Sequence, residues 1–353
     1  MIRAAFEAAG ATVVHVNTQD RRSVFNVGVL DFRNVILGLA HAVQTAWLAA
    51  RFPVKAVYLS ISQGRWGYVR DAILISIVHM FRRPLVVHLR GAKLQDFYRS
   101  ASALERRVVR RTLGWADMAI ALTPGLRSVY DGLVPSDRVR VLENTVADPW
   151  PSGIASFSRC RQERATSNPG ELRILYVAND FATKGAETLI RSIAEPGLEA
   201  TRLTMVGEPP QGVARRALHL AEELGVSDRL ELTGGLSGSD KRRAFERADV
   251  FAYPTENDGQ PLVIIEALAA GLPIVTSMFG GVPETVGAAA LLVEPRDVVN
   301  LAVSLRRLIQ EPPLREELGR AARERYLDRY TPEAFQERFV ELFAELMPAH
   351  LPA

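Results

Sequence analysis

The sequence predicts an α/β protein made of two Rossmann-like, doubly wound parallel-sheet domains. Three observations carry this. A chain of 353 residues is too long for one ordinary core. Short apolar runs alternate with helical patterns from one end to the other. The alternation breaks once, between Pro149 and Gly170, where Pro149, Pro151, Gly153, Pro169 and Gly170 stand among serines and arginines. The expected divisions are therefore 1–150, a linker over 151–170, and a second domain over 171–330.

In the front domain, Ile2–Ala9 reads as a short helix and Ala11–Thr18 as a strand. Phe32–Arg51 and Ala101–Trp115 are amphipathic helical stretches. Further strands are expected at Lys55–Ile61, Leu85–Arg90, Met118–Thr123 and Val139–Leu142. These runs are apolar on both faces, as strands covered by helices on both sides should be. After the break, strands are expected at Leu172–Ala178, Arg202–Val206, Leu230–Thr233, Val250–Pro254, Pro273–Ser277 and Ala290–Val293. Helices fit Ala186–Ala194, Val213–Leu224, Asp240–Ala248, Leu262–Ala270 and Asp297–Ile309. Asp297 suits an N-cap and Gly271 a helix end. Two such arrays predict two sheets facing a cleft. Asn34–Ala50 contains Asn34, His41 and Gln44, and Ala72–Phe81 is shorter than the ~20 residues of a span, so neither is expected to cross a membrane.

Composition excludes several classes. With 48% hydrophobic and 24% charged residues the chain is a folded protein, not a disordered one. The single cysteine, Cys160, rules out an internal disulfide framework and a thiolate metal cluster, and fits a reducing compartment. No secretory signal is expected, because Glu7 stands where its apolar core would lie. There is no Asp-x-Asp pair and no His/Cys/carboxylate cluster with ligand spacing, so no metal is expected. The net charge of +3 hides an asymmetry: 20 Lys/Arg face 11 Asp/Glu through Trp150, and 23 face 29 after it. A basic front half can attract anionic membrane surfaces, phosphorylated substrates or nucleic acid, and reads equally as a solvated surface without a partner. The stripe Arg106-Arg107 and Arg110-Arg111 has no interleaved aromatics, which argues against a nucleic-acid groove.

Ligands of doubly wound sheets bind beyond the carboxyl ends of strands. Four loops there stand out: Asn179-Asp180-Phe181-Ala182-Thr183-Lys184-Gly185, Gly207-Glu208-Pro209-Pro210, Gly234-Gly235, and Thr255 to Ala267. Lys184 beside Gly185 at a helix start joins a positive charge to free N–H groups, a suitable pyrophosphate site. Asp258 and Glu266 lie eight positions apart across a glycine turn. A carboxylate at each end can grip two hydroxylated parts of one ligand, with the backbone of Gly259, Gln260 and Leu262 facing its negative charge. Taken singly, each acid reads as a surface residue at a helix dipole.

The string Asp258-Gly259-Gln260-Pro261-Leu262-Val263-Ile264-Ile265-Glu266-Ala267, running on to Val275 and followed by Gly280-Gly281-Val282-Pro283-Glu284, resembles the signature of family-4 retaining glycosyltransferases. That resemblance implies a GT-B fold and transfer of a hexosyl unit from a nucleoside-diphosphate sugar. The acceptor would be a glycan or a lipid-linked molecule, as in cell-envelope polysaccharide synthesis, with the protein cytoplasmic and peripheral at the inner membrane surface. Tyr330-Thr331-Pro332 and the helix Glu333–Leu346 are similar to the tail that crosses back onto the first domain, which assigns 331–353 to it.

The resemblance also implies roles. Glu266 would hold the nucleotide ribose and Asp258 a hydroxyl of the sugar. Gly259, Gln260 and Pro261 would lie near sugar and phosphates, although Pro261 has no N–H. Lys184 would neutralise the leaving diphosphate, with Gly207, Gly234 and Leu262 lining the donor site. Asn179 stands where the family usually has an Arg, and Asp258 where it usually has a Glu. On the acceptor side, Arg90 takes the place of the family's His before Gly91; His88 reads as a core histidine within a strand. Asn144 opens a sequence similar to the family's Asn-Gly-Val loop, with Thr145 in place of Gly. The family normally opens with a strand and a Gly-rich loop; here the first residues, Ile2–Ala9, already match the following helix, so either the true start lies upstream or that strand and loop are missing. The alternatives are a nucleotide-sugar epimerase on the same fold and a catalytically silent nucleotide-sugar-binding protein. No cofactor and no nucleic acid are expected.

Overall fold

The computed structural model describes residues 1–18, 32–167 and 171–344. The chain divides into two compact units, Met1–Glu143 with Phe335–Ala353, and Asn144–Ala334. The division thus falls a few residues before the expected break.

The first unit contains α1 (Ile2–Ala8), α2 (Phe32–Arg51), β1 (Val57–Ile61), α3 (Arg65–Met80), β2 (Leu85–Leu89), α4 (Leu94–Ser100), α5 (Ala103–Leu113), β3 (Met118–Ala121) and β4 (Val139–Val141). Among the described residues the strands form one parallel sheet in the order β1-β2-β3-β4. Side chains alternate across it, as the two-residue period requires. Leu85, Val87, Leu89, Ala119 and Ala121 join one core, with Ile75 and Val78 of α3 and Val109 and Leu113 of α5. Val86, Met118 and Ile120 join a second core on the other face, with Ala5 of α1 and with α14 (Pro332–Ala344). Phe6 meets Phe339 and Phe343 edge-on, both at 4.7 Å between centroids. Ser102 and Glu105 close α5 with a capping box. The strand expected at Ala11–Thr18 does not form: among the described residues that segment belongs to no sheet. A strand exists only through a ladder, and alternation of apolar residues cannot supply the partner.

The second unit opens with α6 (Ala155–Ser167), followed by β5 (Leu172–Val177), α7 (Ala186–Ile193), β6 (Thr201–Val206), α8 (Gln211–Glu223), β7 (Leu230–Gly234), α9 (Gly238–Arg247), β8 (Val250–Tyr253), α10 (Leu262–Ala269), β9 (Ile274–Ser277), α11 (Val282–Val286), β10 (Ala290–Val293), α12 (Val298–Gln310) and α13 (Pro312–Arg329). All strands run parallel in the order β10-β9-β8-β5-β6-β7. Consecutive strands β5, β6 and β7 build outward in one direction. Helix α9 then carries the chain back to β8, on the other side of β5. The strand order therefore reverses between β5 and β8, where a doubly wound sheet leaves a crevice at its carboxyl edge. Asp297 caps α12 through its carboxylate and the Asn300 N–H, 2.9 Å apart. The composition of 151–170 suggests a linker, yet the structure has α6 there. This helix is held by polar contacts: the Arg161 guanidinium donates to the carbonyls of Phe245 (2.9 Å) and Ala270 (3.2 Å). Among the described residues no helix is long and apolar enough to cross a membrane.

His88 sits in β2 at 1% exposure, with Nδ1 2.6 Å from the Tyr58 hydroxyl. Its Nε2 is buried without a partner among the described residues. Burial, aided by the Arg90 charge, pushes the imidazole pKa down to about 3. The folded state thus holds His88 neutral, while the unfolded chain takes up its proton below about pH 6.5. Stability from this group is complete above that pH and falls as the pH drops toward 3. Between pH 7 and pH 5 the loss is about 2 kcal/mol. His88→Gln is expected to flatten the melting temperature of the chain over that interval relative to wild type, measured by calorimetry at stepped pH.

Candidate active site

The site lies on the second unit, beyond the carboxyl ends of β5, β6, β7 and β8. Two loops meet at the point of strand-order reversal. The loop after β5 runs from Asn179 to Gly185, and the loop after β8 from Pro254 to Pro261. They are joined by backbone: the Glu256 N–H donates to the Thr183 carbonyl at 2.9 Å. Gly185 has φ +76°, and a Cβ there would stand 2.0 Å from the Pro254 carbonyl oxygen. Only glycine allows that approach. Gly207, after β6, is under the same constraint, with a Cβ placed 1.7 Å from the Ala178 carbonyl oxygen.

This contact brings Lys184 onto Asp258, with Nζ 2.7 Å from Oδ2; Nζ also donates to the Asn257 carbonyl. Asp258 is held further by the Tyr253 hydroxyl (3.0 Å to Oδ2) and by the Gly259 N–H (3.1 Å to Oδ1). Burial first, and then the Asp258 charge, raise the Tyr253 phenol well above its usual range, so it stays a donor. Tyr253 rests on Tyr176 and Phe251, a packed aromatic floor.

Glu266 projects from α10 with its side chain 22% exposed. Both carboxylate oxygens lie 2.7 Å from Nζ of Lys241, on the first turn of α9. Sequence reasoning missed Lys241. In Asp240-Lys241-Arg242-Arg243 it reads as one charge of a solvated helix, and no spacing rule links it to Glu266.

The remaining expected residues fall as follows. The Asn179 side chain accepts from the Glu208 N–H at 3.1 Å and fastens its loop to the one after β6. Gly234 ends β7 at φ +77°. Leu262 opens α10 and is 44% exposed. Pro261 is the α10 N-cap position, and the Gly259 carbonyl accepts from the Gly281 N–H at 2.9 Å. Gln260 is 3% exposed, so its side chain is turned inward, and only its backbone is left for the ligand-facing place expected of it. Its Oε1 accepts from the Asn144 N–H (2.5 Å), and its carbonyl from the Asn144 amide (2.9 Å). Asn144 therefore braces the Asp258 loop within the second unit, a role not foreseen for an acceptor-side residue. In the first unit, Arg90 follows directly on β2. Gly91 leaves room for the Gln63 amide, whose Oε1 accepts from the Lys93 N–H at 2.8 Å. Among the described residues no group of three or more His, Cys, Asp or Glu could hold a metal ion.

Residues 161–325, all in the second unit, match the family model described as Glycosyl transferases group 1. Two curated proteins are similar over the same half. One is the sulfoquinovosyl transferase SQD2 of Arabidopsis thaliana, 30% identical over 50% of this chain and 35% of its own length. The other is a D-inositol 3-phosphate glycosyltransferase of Saccharomonospora viridis, 32% identical over 47% of this chain and 42% of its own length. The match spans well under half of either relative. Solved structures align over nearly the whole chain. Sucrose-phosphate synthase of Thermosynechococcus elongatus gives a TM-score of 0.72 at 20% identity, over 91% of this chain and 81% of its own. Anabaena Alr3699/HepE, solved with UDP-glucose, gives 0.70 at 18% identity, over 88% and 84%. The fold is that of the GT-B glycosyltransferases, two parallel-sheet α/β domains.

Gly185→Ala tests the packing beneath the site. The added methyl forces the two loops apart and strains a left-handed backbone, at about 1–3 kcal/mol. Its melting temperature is expected to fall by several degrees, with Lys184 and Asp258 no longer in contact in a crystal structure of the variant.

Proposed function

We propose that this chain is a retaining glycosyltransferase of the family-4 type, moving a hexosyl unit from a nucleoside-diphosphate sugar to a glycan or lipid-linked acceptor. The observation that carries this reading is the joining of Lys184 to Asp258 at the strand-order reversal, 2.7 Å apart, with Glu266 one loop away. Lys184 and the N-termini of α7 and α10 stabilise the diphosphate as it leaves, with no metal required. Asp258 holds a sugar hydroxyl and Glu266 the ribose. The reaction retains configuration, the acceptor attacking from the face the phosphate departs. Arg90 of the first unit serves an anionic acceptor. HepE, solved with UDP-glucose on the same fold, supports a nucleotide-sugar donor.

A thermal-shift screen of nucleoside diphosphates and their sugars identifies the donor, because ligand at a hundred times its Kd stabilises the fold by about 2.7 kcal/mol. With that donor, Lys184→Ala is expected to lower kcat about 10²–10³-fold in a transfer assay. Full transfer by this variant would remove the phosphate clamp from the reading. Conversion of donor without an acceptor would favour an epimerase instead.

The proposal extends to contact with an anionic membrane surface. Helices α2 and α3 pack together in the first unit and leave apolar side chains in water. Leu39, Val43 and Trp47 line one side of α2; Trp66, Val69 and Ile73 line one side of α3, all between 47% and 71% exposed. From residue 32 to 95 there are nine lysines and arginines against one acid, Asp71, which is fully buried and paired with Arg70 at 2.7 Å. Apolar stripes flanked by arginines suit the boundary of an anionic bilayer. The chain is expected to co-sediment with phosphatidylglycerol vesicles and not with phosphatidylcholine vesicles, and Trp66→Glu to abolish the binding. A dimer in light scattering that Trp66→Glu dissolves, without vesicle binding, would assign the face to a second copy.

A further inference from the structure

The two carboxylates of the site are not equivalent. Asp258 accepts three donors: the Lys184 ammonium, the Tyr253 hydroxyl and the Gly259 N–H. Glu266 has one partner, the Lys241 ammonium, set between both its oxygens. An ionised carboxylate offers about four acceptor positions. Asp258 is nearly filled, whereas Glu266 accepts its hydrogen bond at Oε1 and, among the described residues, its buried Oε2 has no hydrogen-bond donor.

Lys241 reaches Glu266 from a separate helix. It stands at the start of α9, the crossover from edge strand β7 back to β8, while Glu266 belongs to α10, which follows β8. Among the described residues no other cation pairs with Glu266, and the side chains are 27% and 22% exposed. Without Lys241 a half-buried carboxylate would lose both its charge partner and the group that fixes its rotamer. It would also repel the phosphates of an anionic nucleotide.

We propose that Lys241 is the positioning residue that sets selectivity for a ribonucleotide donor. It holds Glu266 ionised and aimed, so that the free acceptor positions take the vicinal hydroxyls of a ribose. It acts through Glu266 and makes no contact with the reacting atoms. This rests on the donor-site reading above and adds to it the residue that makes the ribose distinguishable from its 2′-deoxy form.

The test is calorimetric titration of the full chain with ADP, GDP and UDP, each beside its 2′-deoxy counterpart. Loss of one hydrogen bond to a charged group corresponds to roughly 10-fold or more in affinity, so the wild-type chain is expected to prefer the ribose form of its nucleotide by about that factor. Lys241→Met, which keeps the aliphatic stem, is expected to weaken the ribose form about tenfold and bring the two forms within about twofold. Glu266→Gln should do the same, the double variant should be no worse than either alone, and Lys241→Arg should retain most of the preference. Unchanged melting of the unliganded variants excludes misfolding. If Lys241→Met keeps the preference, whether binding is unchanged or weaker for both forms alike, the inference is overturned and the donor-site reading stands. If wild type binds no nucleotide, both fall.

Discussion

The approach of Gly185 to the Pro254 carbonyl underlies the site. Two loops from neighbouring strands, each carrying one half of an ion pair, can meet only where the strand order reverses and no side chain stands between them. Glycine with a left-handed backbone is the single residue that permits the contact. Lys184 and Asp258 then come within 2.7 Å without either loop being long or mobile. The Glu256 to Thr183 backbone bond and the bracing of Gln260 by Asn144 lock the loops from either side. The catalytic proposal depends on this rigidity, since leaving-group stabilisation works through charges already in place.

Charge in the site is balanced before any ligand arrives. Two lysines face two carboxylates, each pair 2.7 Å apart. The pairs differ in depth of support. Asp258 is embedded among fixed donors above the Tyr253–Tyr176 floor, while Glu266 depends on one lysine from a separate helix. The first unit has another character. Its interior is closed by aromatic contacts of α1 with α14, and its outer helices α2 and α3 carry exposed tryptophans beside arginines.

Much of the second unit is legible in the sequence. Its strands are buried on both faces, so they stand out as continuous apolar runs: Val250–Tyr253 and Ile274–Ser277 are buried throughout. Helix α13 gives no such signal. Its inward face is made of Leu318, Gly319, Ala322 and Tyr326 among fourteen other positions that are mostly charged, and small residues leave a thin apolar stripe. Helix α6 is hidden for a related reason: apart from Phe157 against Trp150, it is anchored by Arg161 through backbone carbonyls. Ala11–Thr18 fails in the opposite direction, with a strand pattern that joins no sheet among the described residues.

The parallel α/β class, the loops beyond the carboxyl ends of the strands, and the spacing of Asp258 and Glu266 are all written along the chain. These are local or periodic properties, readable along the chain. Only the tertiary structure decided that Lys184 pairs with Asp258, that Lys241 pairs with Glu266, and that Gln260 turns inward to Asn144. Those contacts join residues 74, 25 and 116 positions apart. Which distant side chains meet depends on strand order and on the crossover of α9, and neither is written in the spacing of residues.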